Sequence, residues 1–358
     1  MSRSTGPVLA VASVTGLHID FYEVPGYRRI GRVEGLVEQP HEIAWDPNRR
    51  LMYLAHTYRR GGYGEGQPPA YEISVIDADR REVVDVIDLS PYQSPHDIEY
   101  DPHRDLIYAG VEQNESGNGI VIVDAKTRKV VGAIPLSARN AHWLALAPDG
   151  RKVYVSHKEA GRITVVDLVE RREIKAISCP GGAEEIDYSP DGRFVYVVTP
   201  LLNVEVNVAQ GALNRKPPEP GDFTPRLIKI DTATDQVVGT LDFDEIISTV
   251  RVTSSGDVLV TEWHFPDPAD PDPAPVPGYV HVVDGATMKR RGAVQTDELP
   301  FTMRCSPDGR TAYVTNLKSG TINVIDLERM VRVTDLENNV GVPLGGTHGT
   351  CYIPEVDG

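Results

Sequence analysis

Basic residues are scarce beside acidic ones, 36 Lys and Arg against 52 Asp and Glu, which leaves a formal net charge of −16. A surface of that sign repels a phosphate backbone and an anionic leaflet alike, so neither nucleic acid nor a membrane surface is an expected partner. Long apolar runs are missing too. No stretch approaches the roughly 18 residues of a membrane span, and the apolar segment 8–14 lacks the basic leader and length of a secretory signal. A cytoplasmic location is the expectation. Cysteine is limited to Cys179, Cys305 and Cys351, without CxxC spacing or even pairing. That excludes a disulfide framework and a thiolate metal knot, and leaves three small buried apolar side chains. Helical periodicity of useful length is absent as well.

What the chain has is repetition. The segments APDGRKVYVSH (147–157), SPDGRFVYVVT (189–199) and SPDGRTAYVTN (306–316) share a tight turn at Pro-Asp-Gly followed by a β-rich strand. The same frame recurs with weaker turn chemistry at 46–56, 101–111 and 253–262. A third strand ending in aspartate follows each hairpin, at Asp77, Asp124, Asp167, Asp231, Asp284 and Asp326, and a fourth strand follows that. Four antiparallel strands per unit of roughly 42 to 65 residues is the spacing of propeller blades, not of βαβ units.

Six blades are thereby accounted for, and the chain ends supply the seventh. Residues 347–354 read as one strand and 8–14, 18–24 and 28–34 as three, so pairing them closes the ring and hides both sheet edges. The expected fold is all-β: one domain over 1–358, a seven-bladed β-propeller with four-stranded antiparallel blades. These segments, SPDGRTAYVTN above all, resemble the YVTN-type family of seven-bladed propellers over nearly the whole chain. The resemblance implies a fold and leaves function open, since such propellers include enzymes, redox proteins and scaffolds.

Alignment of the blades on the turn proline gives, six positions earlier, the residue that opens each innermost strand at the channel mouth. That column reads His41, His96, His142, Glu184, Ser248, Phe301 and His348. Chance would put about 0.2 of a histidine in seven slots. Innermost strands converge on the axis, so these imidazoles come together, and several neutral imidazoles facing one point suit iron, copper, zinc or nickel better than calcium or magnesium. His41, His96, His142 and His348 are the expected ligands of a transition metal, iron or copper ahead of zinc, with positions left open for substrate or dioxygen. Duplication of an ancestral strand-capping histidine is the competing explanation, but the closely alike blades four and six carry Glu184 and Phe301 in the same column.

Strand alternation leaves one ambiguity. Positions two and four after each histidine are mostly apolar, whereas Glu42, Asp97, Glu99, Glu185, Asp187, Arg251 and Arg304 occupy the odd ones. Either the histidines turn toward the axis at the strand end with the carboxylates holding their second nitrogens, or the carboxylates themselves line the mouth. A second ring is expected on the same face at the ends of the second strands, where His56, His157 and Glu262 stand with Thr199 and Asn316 in equivalent slots. With Glu184, the residues His56, His157 and Glu262 are the expected catalytic groups. Three long loops, 57–70, 200–225 and 263–278, rise on that side, and Tyr58, Tyr63, Trp263, His264 and Phe265 would line a pocket beneath them.

The histidine constellation resembles that of the carotenoid-cleavage oxygenases, which implies an iron held by axial histidines. VTEWHFP (260–266) is faintly similar to the copper-dependent methanethiol oxidases. The expected function is a metal-dependent oxidoreductase acting on a small organic molecule, and a monomer is expected. A metal-free lactonase or cyclase is the alternative, since PHDIEYDP (95–102) resembles the seven-bladed lactonases, and His96, Glu185, Arg251 and Arg304 are available to it. A non-catalytic binding platform is the third.

Overall fold

The computed structural model describes residues 6–37, 39–59, 68–113, 119–158, 160–199, 204–207, 212–215, 224–267, 269 and 274–355. Seven four-stranded antiparallel sheets form the blades of a propeller, and no helix occurs among the described residues. The innermost strands of blades one to seven are Pro40–Asp46, Gln93–Asp101, Ala141–Leu146, Ile186–Tyr188, Ile246–Val252, Pro300–Cys305 and Thr347–Ile353. The last of these pairs with Val8–Ser13, which carries His18–Glu23 and Arg29–Val33 outward, so the two ends of the chain share one sheet as expected. One feature was not foreseen: within the 200–225 insertion, Val204–Asn207 and Ala212–Arg215 pair as a separate hairpin.

Apolar burial is divided between the blades. Seven clusters each join two neighbouring blades, and the tyrosine of the repeated second strand sits in them at Tyr53, Tyr108, Tyr154, Tyr196 and Tyr313, all buried. Tyrosine suits this position because its ring fills the layer while its hydroxyl reaches a polar group at the rim. Tyr196 donates to the Gly285 carbonyl at 2.6 Å, and Tyr154 donates to Asp235.

The aspartate that ends each third strand is a turn acceptor. Asp77, Asp167 and Asp231 each take backbone N–H groups two and three residues on, at 2.8–3.1 Å, and Asp124, Asp284 and Asp326 take the one three residues on, at 2.6–2.8 Å. The residue after each turn is left-handed, as at Arg81, Arg128 and Arg171. The repeated Asp therefore encodes a hairpin, not a site.

Blade four departs from the pattern. Its innermost strand has three residues and is preceded by Gly181 and Gly182, with φ of +90° and +85°. A Cβ on Gly182 would lie 1.9 Å from the Lys158 carbonyl oxygen, so glycine lets this segment press against blade three. Gly256 has a similar φ of +88° but open space around it. Gly256→Ala should cost about 1–2 kcal/mol, the price of the left-handed conformation alone. Gly182→Ala should cost at least twice as much by chemical denaturation, and equal losses would refute the close approach.

Candidate functional site

At the start of the innermost strands the pairing register slips by one residue. Pro40 pairs with His56 and Ile43 with Leu54, so His41 and Glu42 together face Ala55. The same slip lies between Pro95 and Ile98, Ala141 and Leu144, Ile247 and Val250, Pro300 and Met303, and Thr347 and Thr350. In blade four Glu184 N–H donates to the Val198 carbonyl and Val198 N–H donates to that of Glu185, which sets the same two residues against one. A bulge of this kind breaks strict alternation and lets two consecutive side chains turn to one side. At His41 and Glu42, imidazole and carboxylate accordingly meet at the mouth, whereas Asp97 and Glu185 turn to the next blade.

The first residue of five of the seven bulges joins an arc. The rings of His348 and His41 lie 4.0 Å apart between centroids, those of His41 and His96 4.2 Å, and those of His96 and His142 3.7 Å. Glu184 continues the arc, its Oε2 2.8 Å from His142 Nε2. The second residue of most bulges ties the next blade. Asp97 accepts from Leu144 N–H at 2.8 Å and Glu185 from Val250 N–H at 3.1 Å, while the Thr249 and Thr302 hydroxyls donate to the Phe301 and His348 carbonyls at 2.6 and 2.5 Å. Glu42 is the exception. It is buried, and its Oε1 lies 2.8 Å from His348 Nδ1 and 3.6 Å from His41 Nδ1.

The four histidines do not close on one point. Among the described residues, the side chains able to converge on a single ion form two sets, His41, Glu42 and His348, and His96, Glu112 and His142. His142 is gripped at both nitrogens, by Glu112 and by Glu184, and its proton affinity is raised because those two carboxylates outweigh the cost of burial. Tyr58 donates to the other Glu112 oxygen at 2.5 Å, and Lys158 Nζ stands 3.1 Å from Glu184, whose burial is outweighed by Lys158 and His142 so that its pKa falls to about 2. His41 goes the other way: burial, with His348 beside it, lowers it to about 4. His96, likewise pushed well down by burial and by His142, donates from Nδ1 to the His142 carbonyl at 3.1 Å, which leaves Nε2 with its lone pair.

Glu112 and Lys158 did not emerge from the sequence, although the signal was one residue away. His56, His157 and Glu262, expected at the collar, turn into their own blades. His56 Nε2 meets Ser74 at 2.8 Å, His157 Nε2 meets Thr164 at 2.9 Å while its Nδ1 donates to the Arg139 carbonyl, and Glu262 lies 3.3 Å from His281 and 2.9 Å from His264. Alternation sends the next residue of each strand across to the neighbouring blade: Thr57 to the Pro95 carbonyl, Glu112 to His142, Lys158 to Glu184 and Trp263 Nε1 to the Pro300 carbonyl.

Blades five to seven complete the mouth with apolar groups. Trp263, Leu299, Leu317, Leu344, Val14 and Ile246 form one cluster flanked by Phe265 and Phe301, and the Phe301 ring meets that of His348 at 4.5 Å. Tyr58, Trp263 and Phe265 thus take part in the mouth as expected, His264 pairs with Glu262, and Tyr63 lies outside the described residues. Burial raises Glu185 to about 8 despite its ion pair with Arg251, and Glu99 to about 7 despite Arg304 and Arg251 nearby.

No protein-family model matches the chain, and no curated protein matches its sequence. Solved structures share its fold. Hydrazine synthase of Kuenenia stuttgartiensis aligns at a TM-score of 0.68 with 18% identity, over 87% of this chain and 90% of that one. The periplasmic gluconolactonase of Pseudomonas aeruginosa aligns at 0.69 with 14% identity, over 98% and 99%. Dihydro-heme d1 dehydrogenase in complex with DHE aligns at 0.61 with 14% identity, over 94% and 65%. At these identities the likeness is one of fold.

The structural assignment of His157 has a pH signature. Burial lowers its pKa from 6.5 to about 4, so between those values the unfolded chain binds a proton that the folded chain refuses. Stability should fall as pH drops through that window, by up to about 1.4 kcal/mol per pH unit for this group. His157→Gln should flatten the slope measured by urea denaturation at pH 4.5 to 7. An unchanged slope would remove His157 from the buried neutral set.

Proposed function

We propose that this chain is a transition-metal-dependent enzyme, an oxidoreductase acting on a small organic molecule at the mouth of the central channel. The observation that carries this reading is the arc itself: His348, His41, His96 and His142 from four consecutive blades in ring contact, with Glu42, Glu112 and Glu184 buried against them. Structural histidines need no such convergence, as His56 and His157 demonstrate by bonding within their own blades. Imidazole donors favour iron or copper, with zinc also compatible. The likeness of the constellation to the carotenoid-cleavage oxygenases belongs to this reading, with the difference that two sets of ligands replace a single group of four.

A bound ion would supply Lewis-acid and one-electron chemistry. The chain's own residues do the rest. Glu112 and Glu184 hold a proton on His142 at the edge of the arc, and Lys158 and Tyr58 keep those carboxylates in position. Trp263, Phe265 and Phe301 give the opposite side of the mouth an apolar wall that excludes water and suits the hydrocarbon part of a substrate.

Protein purified without a metal-affinity tag should carry iron or copper at about one equivalent or more per chain by elemental analysis, lost in His41→Ala and His348→Ala. Failure to retain any metal after anaerobic reconstitution would overturn this function. A metal-free lactonase is the second reading, favoured by the doubly held His142 and by the full-length likeness to a gluconolactonase. Lactone opening by metal-free protein, abolished by His96→Ala, would select it.

A further inference from the structure

The two halves of the arc differ in how their polar atoms are satisfied. In the half made by blades two to four every carboxylate has a donor: Glu112 takes Tyr58 and His142, and Glu184 takes His142 and Lys158. In the half made by blades seven and one the buried polar atoms are orphans. Both oxygens of Glu42, Nδ1 of His41 and Nδ1 of His348 have no hydrogen-bond partner, although His348 Nδ1 approaches Glu42 Oε1 to 2.8 Å and His41 Nδ1 approaches it to 3.6 Å. Glu42 and His348 are 1% and 4% exposed, so bulk water does not reach them. A buried carboxylate that meets only these two imidazoles, neither directed at it as a hydrogen-bond donor, is poorly satisfied, and three adjacent groups in that condition call for a cation between them.

The spacing fits one. Ligand atoms on bonds of about 2.1 Å stand about 3.0 Å apart when adjacent around an octahedral ion and about 4.2 Å apart when opposite. The measured 2.8 and 3.6 Å lie in or near that range. By contrast, His96 spends Nδ1 on the His142 carbonyl and aims Nε2 toward Glu112 at 3.9 Å, away from this set, and both nitrogens of His142 are engaged.

Resting on the metal-dependent reading, we propose that the ion is a single divalent one of the iron(II) type, held by two histidines and one carboxylate, His41, His348 and Glu42, and not by four imidazoles. Two histidines and a carboxylate occupy one face of an octahedron and leave the rest open, the donor set suited to non-haem iron(II). His142 is then a positioned proton carrier at the edge of the site, and Phe301, in contact with His348, borders the open side.

The test is anaerobic titration of metal-free, full-length protein with Fe(II), followed by equilibrium dialysis, with thermal melts of every variant to verify folding. Wild type should bind one equivalent. Glu42→Gln, which keeps shape and removes charge, and His348→Ala should weaken binding by about 100-fold or more, whereas His142→Gln should change it by less than about 10-fold. Nitric oxide added to the Fe(II) protein should give the half-integer-spin EPR signal of an iron with an open position, absent in Glu42→Gln. Retention of iron by Glu42→Gln with its loss from His142→Gln would overturn the carboxylate set and leave a four-imidazole centre standing. No binding by wild type would overturn both this inference and the function on which it rests.

Discussion

A strand that alternates strictly can offer the channel only one of two consecutive side chains. The slip of register at the start of each innermost strand lifts that restriction at one level of the ring, and the rest of the mouth depends on it. The first residue of five of the slips supplies the arc of His348, His41, His96, His142 and Glu184. The second spends itself on the next blade, as Asp97 does with Leu144 and Glu185 with Val250. The groups that knit the blades together and the groups that converge on the axis are therefore neighbours in sequence. Among the carboxylates at this position Glu42 turns back to the arc, and in the following blade Ile98 N–H bonds to Asp97 instead.

Electrostatics divides the carboxylates by their neighbours and the mouth by side. Near the mouth, Glu112 and Glu184 stay ionised because His142 and Lys158 outweigh their burial. Glu99 and Glu185 go the other way, because burial outweighs Arg251 and Arg304 and their proton affinities rise. Across the mouth the contrast is between imidazole and hydrocarbon. Blades five and six bring Trp263, Phe265 and Phe301 where blades seven and one to four bring histidine and glutamate, so the mouth has a polar and an apolar wall.

The fold was legible because it is written seven times. Pro-Asp-Gly turns in three blades, strand-ending aspartates in six and a tyrosine at a fixed offset in five each have one physical job, and the closure of the ring followed from edges that needed partners. The histidine column was legible for the same reason. The slip was not, because one residue too many in a strand leaves no compositional mark: Ser248-Thr249 and His41-Glu42 make it equally well. Without it the carboxylates and imidazoles seemed to compete for the same side. The side chains of His56, His157 and Glu262 turn into their own blades, one position from those that cross to the next, for a related reason. Polarity was read without the two-residue period of the strand, which assigns those side chains to the blade interior and gives the axis Glu112 and Lys158.

Closure through both ends of the chain has a consequence in time. Glu42 and His41 are made early, on the first complete blade, but His348 arrives on the strand that seals the ring against Val8–Ser13. A nascent chain with six blades assembled has the supporting carboxylate and one imidazole but lacks the partner that completes the set. Assembly of the seven–one half of the mouth is thus the last event of ring formation, and a chain that stops short of it carries no finished site.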